Sequence, residues 1–436
     1  MNLLEQYKTR VKIAENMYAK NHGGEQMGNH KKIVLAKVLD NTSKFMNEAF
    51  DSSNATQRSQ MGEFKKFCLN LTNVAIPNLI APELVIVHPM TSMSGYITYI
   101  EYLAGKTKGA TDNGDLFNSP FKLGNVDPTY TSQSVVESYT ATSGQTAFVM
   151  SWYPTGTVSK VYNGTTELSA DDYTVDDDNH KVTLDSGATA GDIIKIAYTY
   201  DNVVIPQNDL PALRAEMKSI SLIAKARRIA VYYSQIAAFQ AKTDYGFDLG
   251  DQLAEKAVGQ LAYEIDTEVT QLLIDNATTP ANNLLVWSKT LPIGVSKAEH
   301  YEGFSEMVEI AKQVIYDRTK RFAPNYMLAA SNLLPILSFI KGWSPAPTSN
   351  VNGPYFAGTL GGLKVFVTPN IAAGKYIVGV NGDDLMTSAA VYAPYMAIVP
   401  TMLLQYADGG TSQGFSTLYD LKMLNADLLV YGTVTD

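Results

Sequence analysis

The residues that could do chemistry here are present without the spacing that chemistry needs. Leu103-Ala104-Gly105-Lys106-Thr107 ends as a phosphate-binding loop ends. Ile100, however, stands where such a loop requires its first glycine, and no apolar strand-then-helix context surrounds it. The histidines His22, His30, His88, His180 and His300 form no i,i+4 pair. None adjoins a cysteine or carboxylate at a known ligand spacing, which argues against zinc and against a general base. Asp171, Asp172, Asp176, Asp177 and Asp178 concentrate charge but lack the central glycine and terminal glutamate of a calcium-binding helix–loop–helix, so solvated turns account for them. No G-x-S-x-G elbow is present. Residues 358–362 precede a strand and read as a turn rather than a dinucleotide-binding loop. Cys68 is the single cysteine, which excludes an intramolecular disulfide and a multi-cysteine metal site; it reads as a small buried hydrophobe. No catalytic residue, metal or cofactor is expected, and the chain does not read as an enzyme.

The elements that would carry such residues are those of a large globular protein. With 436 residues, 45% apolar and 18% charged, the chain has ample material for a core and for two or three domains. A net charge of −9 argues against a protein that grips phosphate backbones. Residues 1–20 lack a secretory apolar region, and no apolar run approaches the ~20 residues of a membrane-spanning helix. We therefore expect a soluble chain made in a reducing compartment.

The strongest single signal is residues 249–275. Leu253, Ala257, Val258, Leu261, Ile265, Val269, Leu272 and Leu273 recur at spacings of three and four, which predicts one helix of about seven turns. It is expected to act as a strut with sheets packed along it. Residues 224–242 read as another helix leading into it. Before these, residues 1–60 read as an arm with two amphipathic helices, one through Leu4, Tyr7, Val11, Ala14 and Tyr18, the other from Val34 to Ala49. They have too little mutual surface to fold alone, so they dock either on their own chain or on a neighbour. Residues 84–88 and 96–102 read as strands, and 105–128 as a long polar excursion. Residues 130–201 contain closely spaced strands separated by turn signals such as Asn163-Gly164, which predicts a small all-β insertion. Beyond the long helix come a second helix through Phe304–Arg318, a strand at 326–330, a short helix at 333–340, and strands at 363–367, 376–380, 389–392 and 396–399. A last strand alternates Phe415, Thr417, Tyr419, Leu421 and Met423.

In this order, the segments resemble the major capsid proteins of contractile-tailed, T-even-like bacteriophages. The resemblance rests on His88-Pro89-Met90 through Gly95 with the aromatic strand after it, on 224–233 with the long helix, and on Ala329-Ala330-Ser331-Asn332-Leu333-Leu334. It rests above all on Phe356-Ala357-Gly358-Thr359-Leu360-Gly361-Gly362 with Val365-Phe366-Val367, followed by Val378-Gly379, Tyr392-Ala393-Pro394-Tyr395, Gln413-Gly414-Phe415 and Tyr419. It covers roughly residues 65–128 and 205–433. Pro89, Gly95, Gly358, Gly361, Gly362 and Pro394 are the motif residues expected to shape the fold.

The resemblance implies an α+β chain of the Hong Kong 97-type capsid fold. Mapped onto this sequence, 1–65 is an N-terminal arm and 66–129 begins the peripheral domain and extended loop. Residues 130–201 are a β-sandwich-like insertion, and 202–300 return to the peripheral domain with its spine helix. Residues 301–410 form the axial domain, and 411–436 return to the peripheral domain. The insertion departs from the family's sequence and is similar to a small β-sandwich recurrent in phage virion proteins; joining Pro128 to Asn202 is expected to leave the rest folded. Relatives lose an N-terminal peptide to a maturation protease, and with Met1 at the start of this sequence that segment is expected to be retained.

The implied function is a shell of hexamers, with pentamers if no separate vertex protein exists, closing an icosahedral head around double-stranded DNA. Its partners would be copies of itself, with vertex, portal, scaffolding and decoration proteins, and no membrane; its place would be the virion head, assembled in the bacterial cytoplasm. The expected inter-subunit contacts are Leu4, Tyr7, Val11, Val38 and Phe45 of the arm and Lys106, Lys108 and Phe117 of the loop. Twenty-six tyrosines against 15 phenylalanines suit interfaces, since tyrosine buries area while keeping a hydrogen bond. The alternatives are an encapsulin-like compartment of the same fold, or a surface adhesin or carbohydrate-binding protein acting through the insertion.

Overall fold

The computed structural model describes residues 3–21, 26–49, 79–152, 154–201, 203, 210–280, 284–346, 353–401 and 404–435. The chain divides into two compact units, residues 1–97 with 220–436 and residues 98–219. Cys68, Ile76-Pro77 and the end of the arm lie outside the described residues.

The first unit begins with helices α1 (Leu3–Gln6), α2 (Lys8–Asn21) and α3 (Asn29–Ala49), and a single turn α4 (Ala81–Leu84). Pro82 sits in the first turn of α4, where its missing N–H is no loss. The strand expected over 84–88 is therefore only β1 (Ile86–Val87). Strand β2 (Ser94–Ala104) leaves this unit; β3 (Leu116–Asn118) and β4 to β10 belong to the second, and β11 (Leu213–Ile223) returns.

Residues 224–242 correct a sequence expectation. They form strand β12 (Lys225–Ser234) and only then helix α5 (Gln235–Asp244). The alanines at 224, 226 and 230 fit a helical stripe, but Ile229, Val231, Tyr232 and Tyr233 favour a pleated surface. Ten consecutive residues pair with β21 (Gly410–Met423), from Lys225 opposite Tyr419 to Ser234 opposite Gly410. A complete ladder outweighs the weak helical preference of the alanines. The hydroxyl of Ser234 then caps α5 by accepting from the N–H of Ala237 at 3.1 Å.

Helix α6 (Leu249–Asn276) is the predicted strut, capped by Asp248, whose carboxylate accepts from the N–H of Gly250. Its buried stripe is Ala254, Ala257, Val258, Leu261, Ile265, Val269 and Leu273. The first part packs with Ile398 and Phe415 on the sheet β1-β19-β21-β12, where β19 is Ala390–Pro400 and β20 (Leu404–Gln405) pairs along β21. The second part joins the main core on a seven-stranded sheet. That sheet runs β13 (Val286–Ser288), β22 (Leu429–Thr435), β18 (Lys375–Gly379), β14 (Tyr326–Ala330), β17 (Leu363–Thr368), β16 (Tyr355–Leu360), β15 (Trp343–Pro345). Every residue of β14 is buried, as a central strand covered on both faces must be.

Three further expectations change in detail. The strands read at 389–392 and 396–399 are one strand, β19, whose register shifts at Pro394, a residue that cannot donate to the ladder. The turn at 358–362 is confined to Gly361-Gly362, with φ of 56° and 84°, as a two-residue hairpin turn between twisted strands requires. Gly358 lies inside β16 at a register shift, with φ of 154°; a Cβ there would come within 2.2 Å of the Ser344 carbonyl oxygen. The short helix at 333–340 is a 3₁₀ turn (Ser331–Leu333) followed by Leu334–Leu337, and the Asn332 side chain accepts from the N–H of Gly374.

The second unit contains two small antiparallel sheets around one core. One is β4 (Ser134–Thr140), β10 (Ile193–Tyr200), β6 (Pro154–Asn163) and β7 (Thr166–Glu167); the other is β5 (Gln145–Val149), β9 (Lys181–Ala188) and β8 (Tyr173–Asp176). Phe148, Trp152, Val161, Val182, Ile194, Ile196 and Tyr198 fill the space between them. Asn163-Gly164 turns β6 into β7, and the 177–180 aspartate run turns β8 into β9.

Candidate assembly surfaces

The arm is fastened to its own chain. Tyr7, Val11, Ala14 and Tyr18 of the first helices, with Leu35, Ala36 and Leu39 of α3, pack on Met396 and Val399 of β19. Val38 is fully buried in the main core, and Leu4 is partly buried against the arm cluster. Tyr7, Val11 and Val38 are buried within this chain, and the side chain of Phe45 lies outside the described residues.

Polar groups lock this docking. Asn41 of α3 donates to the carbonyl oxygens of Met90 at 2.7 Å and Tyr395 at 3.1 Å, so the arm grips the turn that contains Pro89 and Gly95. Glu83, with a side chain only 6% exposed, pairs with Lys31 and with Lys364 at 3.5 Å, and accepts from the Tyr18 hydroxyl. Burial alone would raise this carboxyl; the charge of Lys31, then its hydrogen bond and that of Tyr18, outweigh burial and hold it at about 2. On α6, Asp266 accepts from the N–H groups of Ile80 and Ala81. Burial pushes its carboxyl up to about 7 against those bonds. Sequence reading missed Glu83, Asn41 and Asp266, because partners 49 to 354 positions away leave no local signal.

Lys108 corrects a sequence expectation. It is 2% exposed, and its Nζ donates to the carbonyl oxygens of Thr129, Tyr130 and Ser132 at 3.2, 2.8 and 2.6 Å. The ammonium also lies 4.7 Å from the Tyr200 ring centre and 5.9 Å from that of Trp152. Burial lowers its pKa to about 8, opposed by Asp127. All three protons are directed to carbonyl oxygens within its own unit. Lys106 is half-buried, and its carbonyl accepts from the Tyr130 hydroxyl at 2.9 Å. Phe117 is exposed, with its ring edge-on to Tyr130.

The β2/β11 ribbon offers an uncovered surface. Its ends are fixed by bonds from Ala224 N–H to Met93 O and from Gly105 N–H to Ala212 O, which set one antiparallel register for the pair. In that register the even residues of β2 share a face with the odd residues of β11. Within the second unit Ile100 and Tyr102 therefore lie on the same face as Leu213 and Met217, and all four are exposed, Met217 by 75%. The opposite face carries the ion pair Lys218–Glu101 at 2.6 Å. Half-buried strands normally put apolar residues inward; this ribbon turns a row of them outward.

No group of three or more metal-ligating side chains occurs among the described residues, and no helix of them is long and apolar enough to cross a membrane.

Comparison with known proteins gives a consistent result. A profile of the family described as Major capsid protein Gp23 matches residues 61–431. The major capsid protein of Enterobacteria phage T6 is 23% identical, over 92% of this chain and 91% of its own length. That of Enterobacteria phage T4 is 22% identical, over 92% and 88%. Among solved structures, one from Microbacterium phage Oxtober96 aligns over 82% of this chain and 91% of its own at 10% identity, with a TM-score of 0.41.

Proposed function

The chain belongs to the Gp23 major capsid protein family, and from that premise we propose how its surfaces build the head shell. It is a structural protein of the virion head, with a mixed α/β fold of the Hong Kong 97 type, and it works by associating with copies of itself. The finer assignments are our reading. Residues 1–65 serve as the arm, the β2/β11 ribbon with 105–128 as the extended loop, 130–201 as its insertion, and 301–410 as the axial domain. Copies form hexamers, with pentamers if no separate vertex protein exists, that close around double-stranded DNA, which the acidic chain encloses without gripping. Vertex, portal, scaffolding and decoration proteins complete the particle.

The observation that carries this reading is the outward apolar face of the ribbon. Four large apolar side chains of the second unit, Ile100, Tyr102, Leu213 and Met217, stand in solvent on one face of the β2/β11 pair, and a neighbouring copy supplies the surface that buries them. Shell interfaces of this obligate kind bury ~2,000–5,000 Å², so many modest contacts add up to a closed particle. In vitro assembly of Ile100→Asp and Met217→Asp tests it. Both variants should fold, by circular dichroism, yet fail to close shells in electron micrographs. Closed particles at wild-type yield would refute the role of the ribbon.

A further inference from the structure

Strand β12 has a free side. In the order β1-β19-β21-β12, with β20 along β21, it is the outermost strand, and no described strand pairs beyond it. The alternation of the ladder says which of its groups face outward. On β21, the carbonyl oxygens of Gly410 and Gly414 accept from the N–H groups of Tyr406 and Thr401 at 2.8 and 2.6 Å. The even residues of β21 therefore bond away from β12, and its odd residues bond towards it. The register sets those odd residues opposite Lys225, Arg227, Ile229, Val231 and Tyr233. The N–H and C=O groups of Ala226, Arg228, Ala230 and Tyr232 thus point out of the sheet, and all four residues are exposed.

A row of such groups along ten residues is a template for another extended chain, and for nothing helical or globular. The usual protections are missing: β12 contains no proline, and its pairing with β21 runs without a register shift. Its charges sit at one end only. Arg227 is tied to Glu268 at 2.5 Å, while Lys225 and Arg228 stand exposed; Tyr232 and Tyr233 mark the other end. A second β12 laid parallel would set cation beside cation. Laid antiparallel, it sets the cationic end against the tyrosine end.

We propose that β12 of one copy pairs antiparallel with β12 of a second copy, joining their sheets across a two-fold axis at Ala230. The proposal rests on the capsid reading and names the edge through which two copies meet. In this register Arg228 lies directly opposite Tyr232 of the second copy, where a guanidinium can rest on the aromatic ring. Moving the axis to residue 228 would instead set Arg228 against itself. Ala230, with the smallest side chain beyond glycine, sits where the two chains meet on the axis. The pairing uses the same edge of both copies, so it closes and leaves no edge to propagate.

Ala230→Cys in a Cys68→Ser background tests the register, because the axis brings the two introduced thiols together. Directly opposed residues of a hydrogen-bonded pair lie about 5.5 Å apart at Cα, inside the ~4.4–6.8 Å that a disulfide spans. Oxidised particles should yield covalent dimers on a non-reducing gel, at least tenfold more than Lys242→Cys in the same background. Single chains after oxidation, or equal yields from the two variants, would overturn the proposal. Hydrogen exchange of the wild-type chain needs no substitution. The amides of Arg228, Ala230 and Tyr232 should exchange at least tenfold more slowly in particles than in free subunits. Normal particles with equal exchange at these amides would overturn the pairing and leave the capsid reading intact. Failure of the wild-type chain to form particles at all would overturn that reading, and the pairing with it.

Discussion

Asp266, in the middle of the long helix, accepts the N–H of Ala81 at 2.9 Å and so ties the strut to the turn that follows the arm. The bond is made by a buried carboxyl. Its folded pKa of about 7 lies above its ordinary value near 3.8, so the folded state binds its proton more tightly than the unfolded state does. Stability therefore falls as pH rises from about 4 to about 7 and is flat above, a loss on the order of 4 kcal/mol. In Asp266→Asn this slope should vanish, while Asp266→Ala should lose about 2 kcal/mol at pH 5 through the unpaired N–H groups. Urea titrations of unassembled subunits at pH 4.5, 6 and 7.5 check both.

Glu83 behaves in the opposite way. Its pKa is held below the ordinary 4.5, at about 2, by Lys31 and Tyr18. Its contribution is complete above pH 4.5 and is lost as pH falls towards 2, about 3 kcal/mol in all. Glu83→Ala leaves Lys31 facing an apolar site and should loosen α2 and α3. Limited proteolysis should then cut within residues 1–49 at least ten times faster, with acid unfolding no longer steepening below pH 4.5.

Lys108 is the most constrained cation described. Its folded pKa of about 8 lies below the ordinary 10.5, so holding it charged opposes folding up to pH 8, and that penalty is relieved between pH 8 and 10.5. Its three carbonyl bonds are nevertheless lost in Lys108→Met, which should lower the stability of the second unit by about 2–4 kcal/mol. Amine acylation at pH 8 should leave Lys108 unmodified in native protein despite the lowered pKa. The same bonds revise the excision of 130–201: it removes Tyr130, Ser132, Trp152 and Tyr200 together, so the shortened chain is expected to fold well only with Lys108 replaced by a smaller polar residue.

Gly358→Ala should lose at least 2 kcal/mol, since its φ of 154° and the Ser344 oxygen leave no room for a Cβ. Gly362→Ala, strained at φ of 84° but with open space around it, should lose only about 1 kcal/mol. Thermal melting of the two variants side by side checks the order.

The sequence by itself determined the long helix, because a stripe at spacings of three and four over seven turns can be buried in only one way. It determined the small β insertion through its turn residues, the arm helices through their apolar faces, and the absence of any recognisable catalytic constellation. The ordered motifs around Gly358–Gly362 and Pro394 pointed to the family. Tertiary structure decided what depends on distant partners. Residues 225–234 became a strand because β21 offers ten pairing positions, a choice that alanine spacing could not report. Glu83, Asp266 and Lys108 carry no local mark of burial, since a charge's environment is set by chain segments far away in sequence. Lys108 in particular read as a solvated or bridging lysine, and folding turned it inward because three carbonyls and two aromatic rings converge on one point.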